Sequence, residues 1–395
     1  MRKVLLRYLK KGSSMVLVLL FTINCTEPFE FEAEEFENIL VIDASITDEI
    51  KTQEILLSRT FLSGEEEVQE SGANVSVVDD TGVVYQFQEL QAGIYVSSID
   101  FGAVSGREYK LNVQTRDGVS YSSASVSLPP VAEIEQLEAV RTTNELGIDG
   151  VAILVNAISQ GQEAGFYRYE YEETYRIVSL FKTFEQLVVV SEDPPMLELV
   201  VKDRDEFFCY DTLGSNVISI TDTQSFSQNR VSDFQVRFIA KDDPIISSRY
   251  SILVKQFTQS REANAFYNTL QEFSTIESIF TQTQPGFIEG NIRPDNNPEE
   301  KVLGYFEATS VTSKRLFFSF NDIFTQDDPL RRPCGDERRV SRFDSELFTL
   351  ITSGKWRFLS TDPLDESQTI YLLVKTNCVD CTLFGTNIKP DFWLD

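Results

Sequence analysis

Residues 73–90, Ala-Asn-Val-Ser-Val-Val-Asp-Asp-Thr-Gly-Val-Val-Tyr-Gln-Phe-Gln-Glu-Leu, decide the fold class. Two runs rich in Val, Tyr and Phe flank a turn at Asp-Thr-Gly82, where Gly tolerates positive φ and Asp bonds back to the backbone. Within each run apolar and polar residues alternate, which gives a strand one buried face. The same pattern extends in both directions. Upstream lie Ile-Leu-Val-Ile-Asp-Ala-Ser-Ile-Thr (39–47) and Glu-Ile-Leu-Leu-Ser-Arg-Thr-Phe (54–61). Downstream lie Gly-Ile-Tyr-Val-Ser-Ser (93–98) and the run 107–128, which turns at Arg-Asp-Gly118. Turns spaced by roughly eight to twelve residues are those of a β-sandwich.

Gly72-Ala-Asn-Val, Gly93-Ile-Tyr95, Gly106-Arg-Glu-Tyr109-Lys-Leu and Asp117-Gly-Val-Ser-Tyr121 resemble the Ig-like or carboxypeptidase-regulatory sandwiches carried by many exported bacterial proteins. That resemblance implies a spacer or docking module. The unit is expected to span 39–130, closing at Pro129-Pro130, because proline cannot continue a central strand. A larger β-rich region, 131–395, is expected to follow, with strands at 151–159, 166–181, 197–203, 233–241, 249–257, 286–292, 302–311, 314–320 and 369–376. One helix is expected near 260–273, capped by Ser260 and presenting Ala263, Phe266, Tyr267, Leu270 and Phe273 on one face. This stripe reads as core packing. Gln284-Pro-Gly286 marks a subdivision near 285. The predicted fold class is therefore mainly β. The 42% hydrophobic content, with 30 Phe and 14 Tyr, is ample for packed cores and favours strands over helices.

The N-terminus carries an address. Five basic residues (Arg2, Lys3, Arg7, Lys10, Lys11) precede an apolar stretch, Met15 to Ile23, that stops at Cys25. Residues 1–24 read as a signal peptide, too short in their apolar part to cross a bilayer, which takes about 20 residues. The cysteine at the end of the apolar stretch resembles a lipobox, so Cys25 is the expected lipidation site; Asn24 departs from the small residue usual there. Residues 25–38, with six Glu between Thr26 and Glu37, form an acidic tether that cannot pack into a core. Acidic residues soon after a lipidated cysteine resemble the signal for display on the outer face of the outer membrane.

Charge narrows the partners. Removal of residues 1–24 leaves 30 basic and 62 acidic residues, a net charge of −32. Nucleic acid is excluded as a partner, since binding its backbone needs a basic footprint. Membrane contact is expected through the lipid alone. The other four cysteines, Cys209, Cys334, Cys378 and Cys381, are even in number, as suits two disulfides in an oxidising compartment. Three pairings are open. A bond within Cys378-Val-Asp-Cys381 would make a tight ring, so each of these two is expected to reach Cys209 or Cys334. A four-cysteine zinc site is the sharper alternative, but it usually shows two Cys-x-x-Cys hooks and the chain has one.

The chain has no histidine. This removes Ser-His-Asp and Cys-His catalysis and histidine-ligated metals. Carboxylate pairs can hydrolyse glycosides, but Asp203/Asp205, Asp242/Asp243 and Asp327/Asp328 read as loop and turn residues. There is no GxGxxG, Walker loop, GxSxG or calcium loop, so no catalytic, cofactor or metal residue is expected. A long loop between Asp322 and Arg342 carries Arg331, Arg332, Arg338 and Arg339 around Cys334. It reads as pinned by a disulfide, with its arginines paired to neighbouring acids.

Cys25-Thr-Glu-Pro-Phe, Ile46-Thr-Asp-Glu49, Tyr250-Ser-Ile-Leu-Val-Lys-Gln256, Gln284-Pro-Gly-Phe-Ile-Glu-Gly-Asn291, Gly304-Tyr-Phe306 and the ending Cys378-Val-Asp-Cys381 with Lys389-Pro-Asp-Phe-Trp393 together resemble a family of Bacteroidota outer-membrane lipoproteins of unknown function. The resemblance spans nearly the whole mature chain. It implies an accessory subunit of a TonB-dependent transporter or other outer-membrane β-barrel, with a small-molecule or glycan ligand left unspecified. The alternatives are a carboxylate-based glycan hydrolase and a structural or adhesive surface protein. Trp393 is expected to tuck into the last domain.

Overall fold

The computed structural model describes residues 38–60, 68–159, 165–225, 229–275, 288–297, 300–330 and 333–395. The expected signal peptide, Cys25, all but the last residue of the expected tether, Gln284-Pro-Gly286, Arg331 and Arg332 lie outside these. The described chain is mainly β, as expected, with several sheets and few helices. Among the described residues no helix is long and apolar enough to cross a membrane.

The first core is built from the strands that alternate most cleanly. Leu40–Thr47, Glu54–Arg59, Ile94–Ser97, Val84–Gln91, Asn74–Asp79, Glu108–Gln114 and Ser120–Ser123 follow one another across the sheet in antiparallel pairs. Both turn glycines, Gly82 and Gly118, take left-handed φ. At the first of these turns the Asp79 carboxylate accepts from the N–H groups of Thr81 and Val83 at 2.9 and 3.0 Å. The inward residues Ile42, Ala44, Ile55, Leu57, Val75, Val77 and Leu111 are fully buried.

This sandwich does not close at Pro129-Pro130. The chain leaves and later returns. Ile292–Pro294 pairs with Ser120–Ser123, and the 18-residue strand Val302–Ser319 then runs parallel to Leu40–Thr47, Ile42 opposite Gly304. Its second half lies antiparallel to Arg249–Gln259. Side chains alternate across a strand, so Val302, Phe306, Ala308, Leu316 and Phe318 share one face; its first half enters the first core and its second half meets the second. The close approach explains Gly304. A Cβ there would stand 2.2 Å from the Ile42 carbonyl oxygen.

The second core is another sandwich. Strands Phe166–Val178 and Arg249–Gln259, with the far half of the long strand, face a sheet made of Ala132–Thr143, Asp149–Ser159 and Arg230–Ala240. Tyr167, Tyr169, Tyr171, Tyr175 and Tyr250 point inward beside Val151, Ile153, Val155 and Ile239. Polar atoms buried with them are partnered. Tyr250 donates to Glu173 at 2.6 Å, Arg237 reaches the same carboxylate at 3.1 Å, and Tyr169 donates to Gln256 at 2.9 Å.

The expected helix spans Arg261–Thr275. Ser260 caps it, its hydroxyl accepting from the Ala263 N–H at 3.1 Å. Ala263, Phe266, Tyr267 and Leu270 pack on Leu303 and Tyr305 of the long strand. A second helix, Ser345–Thr352, was not legible: it is short, has β-branched Thr or Ile at three of its eight positions, and is held by an Asp344 cap together with a small sheet of Arg338–Ser341, Ile370–Lys375 and Trp356–Thr361. Trp393 is buried against Tyr210 and Phe317.

Candidate functional site

The four cysteines form the bonds Cys209–Cys381 and Cys334–Cys378. Each member of the Cys-x-x-Cys hook therefore reaches a distant partner, and none of these four cysteines is left as a thiolate to hold zinc. Among the described residues no group of three or more Cys, Asp or Glu is placed to hold a metal ion. In the arginine-rich loop, Arg338 pairs with Glu346 at 3.1 Å and Arg339 with Asp362 at 3.2 Å.

The carboxylate pairs stand apart from any cleft chemistry. Asp205 and Asp243 each accept a nearby backbone N–H, and Asp327 binds Arg141 and Lys241 at 3.4 and 2.8 Å. These are the turn and surface roles that the sequence assigns them.

Among the described residues a broad concavity lies at the seam where the returning chain meets the first core. A cleft of about 910 Å³ is walled by residues 124–127 on one side and 288–291 on the other, with Glu262, Ala265, Phe266, Thr269 and Phe273 of the helix above and Tyr305 and Glu307 below. A second, of about 870 Å³, shares Ser127, Ser260 and Glu262 with it and continues past Pro129 and Pro130 to Phe166 and Arg261. Together they make one trench around the N-terminal end of the helix.

The floor of this trench is a network of buried polar groups, in which the Arg168 Nε alone lacks a hydrogen-bond partner among the described residues. Glu307, with a side chain only 3% exposed, pairs with Arg168 at 3.1 Å. It also accepts from Gln259 at 3.0 Å, and Gln259 accepts in turn from Asn264 of the helix at 3.2 Å. The Arg168 guanidinium lies between the rings of Phe257 and Tyr267, 4.4 and 5.0 Å from their centroids, and also pairs with Glu170. Burial acts to lower the Arg168 pKa, but Glu307, Tyr267 and Glu170 outweigh it and the value rises. Burial, and then Glu307, hold the Tyr267 hydroxyl well above its ordinary range. A buried pair of this kind is costly to break and fixes geometry rather than adding net stability.

Arg168 reaches the far side of this wall, where it lines a polar groove of about 390 Å³ with Asp43, Glu49, Lys51, Gln53, Glu170 and Lys255. Asp43 touches solvent but is hemmed in by the groove walls. That confinement raises its carboxyl pKa; Arg168 opposes the rise and Glu170 adds to it.

The site residues were missed in the sequence because each looks ordinary alone. The available signal was Phe-Tyr-Arg168-Tyr-Glu170-Tyr-Glu172, in which charges occupy every position that the tyrosines leave to the opposite face.

No curated protein matches the chain. Among solved structures, a DUF4785 family protein from Legionella pneumophila aligns at 10% identity and a TM-score of 0.18, covering 57% of this chain and 54% of its own. The chain thus spans about half the length of that structure, and a likeness so slight carries no argument about fold or function. A match to a domain of unknown function, DUF4249, covers residues 26–315, which takes in the first core, most of the second, the helix and most of the long strand. By that match the chain belongs to the DUF4249 family.

Proposed function

We propose that this protein is an outer-membrane lipoprotein of the Bacteroidota type, anchored through Cys25, that serves as a binding accessory to a TonB-dependent transporter or another β-barrel. The observation that carries the reading is the seam trench. It is wide and walled by both halves of the described body, and its floor is a buried ion-pair network suited to holding shape. Pockets of this kind, with few polar groups on a rigid frame, are ligand sites. The lack of histidine agrees with binding rather than with acid–base turnover. The acidic body needs a lipid to stay at an anionic surface, and a lipobox-like cysteine supplies one.

The test is isolation of the native protein from detergent-solubilised outer membrane. The expected result is a co-eluting β-barrel protein and a mature N-terminus bearing diacylglycerol on Cys25. An unmodified Cys25, or a preparation without any barrel, contradicts the reading.

A second reading, carboxylate-based glycan hydrolysis, has one observation in its favour: Asp43 keeps its proton more tightly than an ordinary carboxyl, next to Glu170 in the polar groove. It requires glycoside turnover that disappears in Asp43→Asn.

A further inference from the structure

We infer that the polar groove lined by Asp43 and Lys255 binds a small amino-carboxylate zwitterion, a short peptide with both ends free, its ammonium toward Asp43 and its carboxylate toward Lys255. The inference does not rest on the seam trench or on a barrel partner. The groove, of about 390 Å³, falls in the size range of small-ligand sites, roughly 300–1,000 Å³. Asp43 and Ser45 enter it from strand Leu40–Thr47, on one side of the long strand. Arg168, Glu170 and Lys255 enter it from strands Phe166–Val178 and Arg249–Gln259, on the other.

The charges of the groove divide into those already paired and those left over. Glu49 pairs with Lys51 at 2.6 Å, and Glu170 with Arg168, which also holds Glu307. Lys255 sits opposite Glu170 in the register of their two strands, where a cross-strand ion pair is expected. Glu170 has turned to Arg168 instead, and Lys255 stands half-buried with no hydrogen bond or ion pair among the described residues. Asp43 is likewise without a partner among them, and the groove walls already make it hold its proton more tightly than an ordinary carboxyl. Glu54, the remaining charge, is exposed to solvent. One groove therefore carries a cation and a carboxyl that each lack a counter-charge, and a partly desolvated charge is costly to leave unpaired. A ligand with an ammonium at one end and a carboxylate at the other supplies both, through charge-assisted hydrogen bonds. A purely cationic or anionic ligand supplies one and meets like charge at the other. A neutral glycan supplies neither.

The experiment is calorimetric titration of the full chain in detergent with Ala-Ala-Ala in four forms: both ends free, N-acetylated, C-amidated and blocked at both ends. Phosphoethanolamine, a zwitterion of lipid origin, and maltotriose serve as comparison probes. The free tripeptide should bind. Each single block should weaken binding about tenfold, a change of about 1.4 kcal/mol, and the doubly blocked form and both comparison probes should be weaker still. Two variants assign the ends. Asp43→Asn should bind the free and N-acetylated forms equally, and Lys255→Gln the free and C-amidated forms equally, with circular dichroism confirming that each is folded. The wild-type series decides the matter even where a variant does not fold. No binding of the free tripeptide, equal affinity of the doubly blocked form, binding of phosphoethanolamine or maltotriose as tight as that of the free tripeptide, or end discrimination undiminished in a folded variant overturns the proposal.

Discussion

The two cores of this protein solve the same problem with different chemistry. In the first, Ile, Val and Leu dominate the interior, and of its three buried tyrosines Tyr95 donates to the Glu70 carbonyl at 2.9 Å, Tyr109 accepts from the Val104 N–H at 2.8 Å and only Tyr121 meets a charged group, Glu300. In the second, a column of tyrosines brings hydroxyls inside, and Glu173, Arg237 and Gln256 must be buried or half-buried to meet them. Apolar packing is forgiving of small rearrangement, whereas a buried polar network tolerates only complete satisfaction. The second core should therefore be the less adaptable of the two, and the rigid wall of the trench grows from it through Arg168 and Glu307.

The largest expected effect tests whether covalent ties matter to this contrast. Of these two cores the second has a disulfide among its buried members, Cys209–Cys381, whose partners are 172 positions apart. Replacing both cysteines by serine frees a long loop in the unfolded chain and should cost about 4 to 5 kcal/mol. Urea unfolding should show a clear drop in midpoint; an unchanged midpoint would mean that the first core sets the stability alone.

Next comes Phe306→Ala. Phe306 is fully buried in the first core yet belongs to the strand that continues into the second. The loss should be about 4 kcal/mol, read by the same unfolding experiment. Were residues 39–130 a closed domain, their unfolding would not respond at all.

Glu173→Ala should cost about 3 kcal/mol, because it strands Tyr250 and Arg237 inside the second core. Glu173→Gln keeps an acceptor for Tyr250 and should cost less. Equal losses in the two variants would show that shape, not hydrogen bonding, decides this core.

The smallest effect concerns Asp43 in the groove between the cores. Its pKa is higher folded than unfolded, so the folded state holds the proton more tightly. The stability this contributes is present below the unfolded pKa and is lost as pH rises through the folded one. Asp43→Asn should accordingly raise Tm slightly at about pH 7 and give no advantage near about pH 3. A variant less stable at neutral pH would contradict that sign.

How much of this was legible follows from what alternation encodes. Ala73–Leu90 and Arg107–Leu128 reveal strands, turns and their buried faces because those depend on neighbours in sequence. So does the helix, through Ser260 and its apolar stripe. The partner of a strand is not encoded that way. Nothing near Val302 states that it lies beside Leu40, and only a glycine within a strand, Gly304, hinted that another backbone passes close. The trench was hidden for the same reason, since Ser127, Glu262 and Gly290 meet only after the chain returns. Disulfide partners were narrowed by ring size, and the tyrosine-rich run marked a two-sided strand without naming what either side would touch.

The central claim is that one strand completes both cores and so holds the trench between them rigid. The most direct test is amide hydrogen exchange on the wild type and on Phe306→Ala, followed at Val75 and Leu111 in the first core and at Ile252 and Val254 in the second. If the claim holds, the substitution lowers protection at all four positions together. Loss confined to Val75 and Leu111, with Ile252 and Val254 unchanged, would show two independent units and contradict it.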